Sequence, residues 1–212
     1  MTPPRGVHLI SSERLFRKVL EGKATVKELE DSLPENVILV TCFPKLKMVV
    51  YHFAAYIGKG RVIEFSKRRG CYTGTLQKIV DYSYTDSKRC KKSPFVWVFV
   101  DYSSHTCFYN PSKSLRGVLF PTDLHTVRER SEWALETLQP RHYNVLHLNC
   151  EHITRYILTG CVWSEQERIC KARMTVSLVT VTLLVVAVAP LCRNHRRTPR
   201  TLMYGFPGLF SL

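Results

Sequence analysis

Two kinds of apolar periodicity divide the first 160 residues of the chain. Between residues 36 and 66, apolar positions follow the two-residue period of β-strands in the segments NVILVTCF, MVVYHFAAYI and RVIEFS. A further strand is predicted at residues 95–101, FVWVFVD. Helical spacing marks residues 12–21 and 124–138, and another helix is expected to begin at Asn149-Cys150. Strands followed by helices predict an α+β fold with an antiparallel sheet and packed helices.

The loop at residues 58–60, Gly-Lys-Gly, predicts a hairpin between the second and third strands. With three residues in the loop, Ala54 faces Glu64, and His52 faces Ser66. His52 and Glu64 then lie on the same face of the sheet as diagonal neighbours. A loop of two residues would put them on opposite faces.

The sequence around this sheet predicts several segments. Residues 1–34 are expected to form an N-terminal helical appendage, with a capping box at residues 25–28. Residues 35–170 are expected to form the main domain. Within it, the basic stretch at residues 67–92 is predicted to be irregular.

A transmembrane segment is predicted at residues 174–192, where MTVSLVTVTLLVVAVAPLC contains no charged side chain. As a helix with a rise of about 1.5 Å per residue, the segment is roughly 28 Å long, close to the bilayer core of about 30 Å. Arg168, Lys171 and Arg173 precede the segment, and the tail at residues 193–212 has four arginines and no acidic residue. A buried helix or strand is the alternative, since valine and threonine favour β structure in water.

Because this segment comes late and the first residues lack a signal-peptide pattern, it is expected to insert as a C-terminal tail anchor. The rest of the protein would then face the cytosol.

The positive charge is large and uneven. The 212 residues carry a net charge of +14, and residues 59–92 contain ten basic and three acidic side chains. Such concentration predicts an anionic partner, either phospholipid or nucleic acid. The absence of a nucleic-acid-binding motif and the presence of a membrane segment favour membrane phospholipids. The alternative is that the basic stretch is a solvated loop.

The eight cysteines are not spaced as a disulfide framework or a zinc site, because no two of them form a Cys-x-x-Cys pair. A chain of this length does not need disulfide stapling. Most of the thiols are therefore expected to be reduced and buried, and no metal or cofactor is expected.

Cys150 is the candidate nucleophile. Asn149 is a favoured N-cap residue, which places Cys150 in the first turn of a helix. There, the helix dipole and the unpaired N–H groups stabilise a thiolate. The alternative is that Cys150 is a small buried apolar residue like the other cysteines.

His52 is the candidate general base, and Glu64 the candidate residue that orients its imidazole. The alternative for Glu64 is a solvated strand residue. His152 is a rival base, but two positions along the helix its side chain does not face Cys150. His152 is therefore expected to pack against or cap the start of the helix.

The segment at residues 149–153, Asn-Cys-Glu-His-Ile, resembles the Asn-Cys-Glu-His-Phe signature of the lecithin retinol acyltransferase family. That family includes the HRAS-like suppressor phospholipases and acyltransferases. The segment YHFAAYIGKGRVIEFS resembles the family's histidine-box hairpin, and Tyr143 and Leu146 also fit. The resemblance covers roughly residues 34–192.

The resemblance implies a circularly permuted papain-like fold of the NlpC type, and makes residues 35–170 the catalytic domain. It makes Cys150 the nucleophile and His52 the general base. Glu64 stands where the family usually has a second histidine. The implied activity is that of a phospholipid-dependent acyltransferase or phospholipase A, with an acyl thioester as intermediate and an amine, an alcohol or water as acceptor.

Two other functions remain open at this point. One is a membrane-tethered thiol peptidase or amidase on the same scaffold. The other is a tail-anchored interaction or membrane-remodelling protein that has lost catalysis.

Overall fold

The fold was obtained as a computed structural model, which divides the chain into two compact units, residues 1–170 and 171–212. The structure describes residues 7–43, 50–90, 96–100 and 115–195.

Most described residues lie in strands or helices. The strands are β1 (Val7–His8), β2 (Val37–Phe43), β3 (Val50–Tyr56), β4 (Arg61–Ser66), β5 (Gly70–Thr75) and β6 (Val96–Val100). The helices are α1 (Ile10–Leu20), α2 (Val26–Ser32), α3 (Leu76–Cys90), α4 (Val127–Thr137), α5 (Cys150–Thr159) and α6 (Glu165–His195).

The strands form one sheet in the order β1-β6-β2-β3-β4-β5, with every neighbouring pair antiparallel. Alternate residues point to opposite faces of the sheet. On one face, Leu39, Ala54 and Val62 pack against α1, α2 and α3. On the other face, Ala55 and Ile63 pack with α4 and α5. The prediction of an α+β fold with an antiparallel sheet and packed helices is confirmed.

The β3–β4 hairpin has the predicted register. The Ile57 N–H donates to the Arg61 carbonyl at 3.1 Å, and Ala54 pairs with Glu64. Positive φ angles at all three loop residues, 58–60, produce the tight turn. The ladder ends at Ala54–Glu64, two residues short of the predicted His52–Ser66 pair.

The N-terminal helices are part of the main core, where the sequence predicted an appendage. Phe16 and Leu29 are completely buried and pack in one cluster with Leu39 and Val62 of the sheet. The predicted capping box is present, since Thr25 and Glu28 exchange hydrogen bonds. Short amphipathic helices of this kind gain most of their stability from packing. Residues 7–33 therefore complete one face of the domain.

Phe16→Ala is expected to lower the free energy of unfolding by about 3–5 kcal/mol, because it leaves a cavity under the sheet. Urea unfolding followed by circular dichroism measures the change. Ile10→Ala in the same helix is the control, since Ile10 is 53% exposed and its loss should change stability by less than about 0.5 kcal/mol. Equal, small effects of both substitutions would show that these helices are an independent appendage.

The described part of the basic stretch, residues 67–90, is more ordered than predicted. It contains β5, which pairs with β4 from Arg61–Thr75 to Ser66–Gly70, and α3. Leu76, Ile79 and Val80 of α3 are buried against the sheet. The net positive charge of this stretch led to the prediction of a loop, although its apolar side chains lie on one face of a helix.

The helix α6 runs through the predicted transmembrane segment, residues 174–192. Within the described ranges, no helix combines the length and the hydropathy that a membrane crossing requires. The predicted tail at residues 193–212 lies outside the described residues from residue 196 onward.

Candidate active site

Cys150 is the first residue of α5, as predicted. The side chain of Asn149 accepts hydrogen bonds from the N–H groups of Glu151 (3.0 Å) and His152 (3.3 Å). The N–H of Cys150 is not one of those that Asn149 binds, so it remains a candidate donor to a reacting oxygen. Cys150 is 2% exposed.

The sulfur of Cys150 lies against the edge of β3, just past the point where the β3–β4 ladder ends. The Phe53 N–H donates to Sγ at 3.5 Å, and Sγ lies 3.8 Å from the Tyr51 carbonyl oxygen. Beside it, the Tyr51 N–H donates to the side chain of Gln166 at 2.9 Å. The nucleophile therefore contacts backbone groups of β3 that have no ladder partner in β4.

His52, between these two backbone contacts, connects the sulfur to a buried carboxylate. Its imidazole forms a side-chain hydrogen bond with Cys150. Its Nε2 lies 2.9 Å from Oε2 of Glu64, and the two side chains are 12% and 1% exposed. The structure therefore brings together all three residues that the sequence singled out, and Glu64 is buried rather than solvated.

The charges of the hydrogen-bonded side chains of Cys150, His52 and Glu64 stabilise one another. Burial alone would lower the pKa of His52, but hydrogen bonds and opposite charges from Cys150 and Glu64 outweigh it and raise the pKa from 6.5 to about 10. Burial likewise raises the pKa of Glu64, but the hydrogen bond and charge of His52 hold it below its usual value of 4.5. The imidazole is therefore protonated at neutral pH, between a sulfur and an ionised carboxylate.

Glu64→Gln is expected to lower the free energy of unfolding at pH 7 by about 1.5–3 kcal/mol, because a charged hydrogen bond is lost. Since the folded-state pKa of Glu64 lies below 4.5, the stabilisation is present above pH 4.5 and is lost as the pH falls through the folded-state value. The difference between wild type and variant should therefore narrow below pH 4.5. Urea unfolding between pH 3 and 7 measures it.

The control for these urea unfolding measurements is Glu132→Gln. Glu132 is 55% exposed in its ion pair with Arg128, so its loss should cost less than about 1 kcal/mol. A wild-type advantage over Glu64→Gln that stayed constant down to pH 3 would contradict an ionised Glu64.

Tyr143 is a further residue at the sulfur, which the sequence connected only with the family resemblance. Burial, followed by the negative charge of Cys150 and a hydrogen bond with it, raises the pKa of Tyr143 above its usual range. Its ring packs against Phe65, with ring centroids 5.2 Å apart. The hydroxyl thus stays protonated and can donate to the sulfur.

His152 has the structural role that the sequence predicted. Its Nδ1 accepts from the Asn149 N–H at 3.2 Å, and its Nε2 lies 2.8 Å from Oε2 of Glu167. Both nitrogens are therefore engaged away from Cys150. Glu151, which is fully buried, accepts from Ser164 at 2.7 Å and from Arg155 at 3.2 Å. These contacts fix the start of α5 to the first turn of α6.

Two other features lie apart from this site. A cavity of about 590 Å³ is lined by residues of β4, β5 and α4, and in the described part of the chain its lining does not include Cys150, His52 or Glu64. No group of histidine, cysteine and acidic side chains among the described residues is arranged to hold a metal ion. The described cysteines 71, 150, 161 and 170 are free thiols.

A scan against protein-family models found no match, and searches of curated proteins and of solved structures found none. The resemblance to the lecithin retinol acyltransferase family stays a prediction, based on residues 149–153 and the hairpin that carries His52.

Proposed function

We propose that the chain is a membrane-bound thiol acyltransferase or phospholipase A that cleaves acyl esters of glycerophospholipids through an acyl thioester on Cys150. The observation that carries this proposal is the hydrogen-bonded series Cys150, His52 and Glu64, with the sulfur at the start of a helix. A thiolate beside an imidazolium is a nucleophile at neutral pH. The Asn-Cys-Glu-His resemblance adds the substrate class and the permuted papain-like fold.

In this mechanism the Cys150 thiolate attacks the acyl carbonyl carbon. The tetrahedral oxyanion accepts a hydrogen bond from the Cys150 N–H at the start of α5. When the ester C–O bond breaks, the His52 imidazolium protonates the departing lysophospholipid oxygen, which leaves the thioester and a neutral imidazole. His52 then takes a proton from an amine, an alcohol or water as it attacks the thioester. Cleavage of the C–S bond regenerates the thiolate beside the imidazolium.

Glu64 and Tyr143 assist without forming bonds to the acyl group. The carboxylate of Glu64 fixes the orientation of His52 and stabilises its cation through the 2.9 Å hydrogen bond. The Tyr143 hydroxyl donates to the sulfur and so stabilises its negative charge.

The membrane anchor at residues 174–192 belongs to the same proposal, with the catalytic domain on the cytosolic side. Among the α6 side chains whose burial the structure describes, seven apolar ones are more than half exposed: Met174, Val176, Val179, Val181, Leu183, Leu184 and Val186. An apolar surface of this kind is stable in lipid and costly in water. The exposed side chains of Lys67, Arg68 and Arg69 would add attraction to anionic headgroups, about 1 kcal/mol each near the surface.

The test is mass spectrometry of the protein after incubation with phosphatidylcholine vesicles. The peptide that contains Cys150 should gain the mass of one fatty acyl group, and lysophosphatidylcholine should appear. Free thiols at Cys71 and Cys161 are internal controls in the same digest. Cys71 should stay unmodified, because burial raises its pKa to about 12. Peptide cleavage without lipid cleavage would instead indicate a peptidase, and no adduct on folded protein would indicate a non-enzymatic role.

A further inference from the structure

Gly74 lies inside β5, where a glycine weakens a strand because it adds backbone freedom and no side-chain packing. Its φ is not among the positive values found at Gly58, Gly60 and Gly70. The backbone at residue 74 therefore does not require glycine. The reason for a glycine has to be sought in the space around its Cα.

That space is occupied by the carboxylate of Glu64. A Cβ atom on residue 74 would lie 2.5 Å from Oε1 and 3.6 Å from Cδ of Glu64. The first distance is about 1 Å shorter than an ordinary van der Waals contact. Gly74 pairs with Val62 of β4, which lies two residues from Glu64 on the same face of the sheet. Gly74 is therefore a diagonal neighbour of Glu64, and the carboxylate extends over its Cα. Even one methyl group at residue 74 would force the carboxylate to move.

One oxygen of the Glu64 carboxylate lacks a close hydrogen-bond donor. Among the described residues no donor lies within ordinary hydrogen-bonding distance of Oε1. The charged and titratable groups that act on Glu64 are His52 at 2.9 Å, the Tyr72 hydroxyl of β5, which also forms a hydrogen bond with the carboxylate, and Lys78 of α3 through its charge. The position of the carboxylate therefore depends on its hydrogen bonds with His52 and Tyr72 and on the shape of the space beside β5.

We propose that Gly74 is a positioning residue of the active site: the missing side chain leaves the space from which Glu64 reaches His52. This proposal rests on the proposed function. It explains how Glu64 can take the place of the second histidine that is usual in the family that the chain resembles. Oε1 and Oε2 belong to one rigid carboxylate, so displacing Oε1 by about 1 Å also moves Oε2. Oε2 would then leave the narrow range in which its hydrogen bond to His52 stays strong.

The experiment is an NMR titration of the His52 imidazole in four proteins: wild type, Gly74→Ala, Glu64→Ala and the double variant. Gly74→Ala is expected to lower the pKa of His52 by about 1 unit, because the carboxylate moves away. In the Glu64→Ala background the same substitution should change it by less than about 0.3 units, since a residue that acts through Glu64 has no effect once Glu64 is gone. In turnover assays, Gly74→Ala should lower kcat about tenfold and leave KM unchanged.

Thr73→Ala is the matched control, because Thr73 is the exposed neighbour of Gly74 on the same strand. This substitution should leave the pKa of His52 unchanged. An unchanged pKa of His52 in Gly74→Ala would overturn the proposal. An equal shift of that pKa with and without Glu64 would overturn it too. If Gly74→Ala does not fold, the double variant must fold, since it lacks the clash, and failure of both overturns the proposal too. The titration uses no substrate, so a protein that cleaves no lipid would refute the proposed function and still test Gly74.

Discussion

Cys150→Ser is expected to abolish acyl transfer from phosphatidylcholine, with a loss of at least about 10³-fold in turnover and no acyl adduct at residue 150. A serine hydroxyl is far less acidic than a thiol, so the charged nucleophile that Cys150 supplies at neutral pH is lost. No other described cysteine is placed at the start of a helix beside a histidine. Release of lysolipid over time and intact-protein mass spectrometry measure the two effects.

The matched control is Cys161→Ser, which replaces a partly exposed thiol outside the site and should keep full activity. Thermal melting of both variants separates loss of chemistry from loss of fold. If Cys150→Ser kept its lipid-cleaving activity, the thioester mechanism would be wrong. If Cys150→Ala preserved the cellular effect of the protein, the interaction or membrane-remodelling alternative would be preferred.

His52→Gln is expected to lower turnover by about 10²–10⁴-fold, because the leaving oxygen and the acceptor both lose their proton-transfer partner. Glutamine retains a hydrogen-bonding group of similar reach but does not titrate. The alkaline limb of the activity profile, expected near pH 10 from the raised pKa of His52, should also disappear. Steady-state kinetics across pH 6–11 measure both results.

Two other histidines serve as comparisons for this prediction. His147→Gln changes an exposed side chain and should have no effect. His152→Gln disturbs the contacts of the α5 N-terminus with Asn149 and Glu167, so it should lower stability and leave the alkaline limb in place. A larger loss of turnover at His152 than at His52, in folded proteins, would make His152 the base.

The agreement between sequence and structure is closest where geometry is local. A three-residue loop fixed the pairing of Ala54 with Glu64, because hairpin loop length determines register. That register brought His52 and Glu64 to one face, and the side-chain hydrogen bond between them followed. Asn149 likewise predicted the start of α5, since an N-cap depends only on residues within one turn.

The misjudged segments were those whose structure depends on distant partners. Residues 67–92 have the composition of a loop, and only packing of Leu76 and Ile79 under the sheet makes α3 a core helix. The N-terminal helices resembled an appendage, because nothing local indicates that Phe16 reaches a sheet formed by residues far along the chain. The contribution of Tyr143 was also missed as chemistry, since a tyrosine before a loop has no local pattern that marks it as a neighbour of Cys150.

The amino-acid sequence by itself determined which residues can react and which short-range contacts they make: a cysteine behind an N-cap, and a histidine and a glutamate across one hairpin. Tertiary structure alone decided that these two parts meet. The β3–β4 ladder ends at Ala54–Glu64, and the start of α5 lies against the β3 edge just beyond that point. This arrangement depends on the packing of the helices on both faces of the sheet, a sum of long-range contacts that has no periodic signature in the sequence.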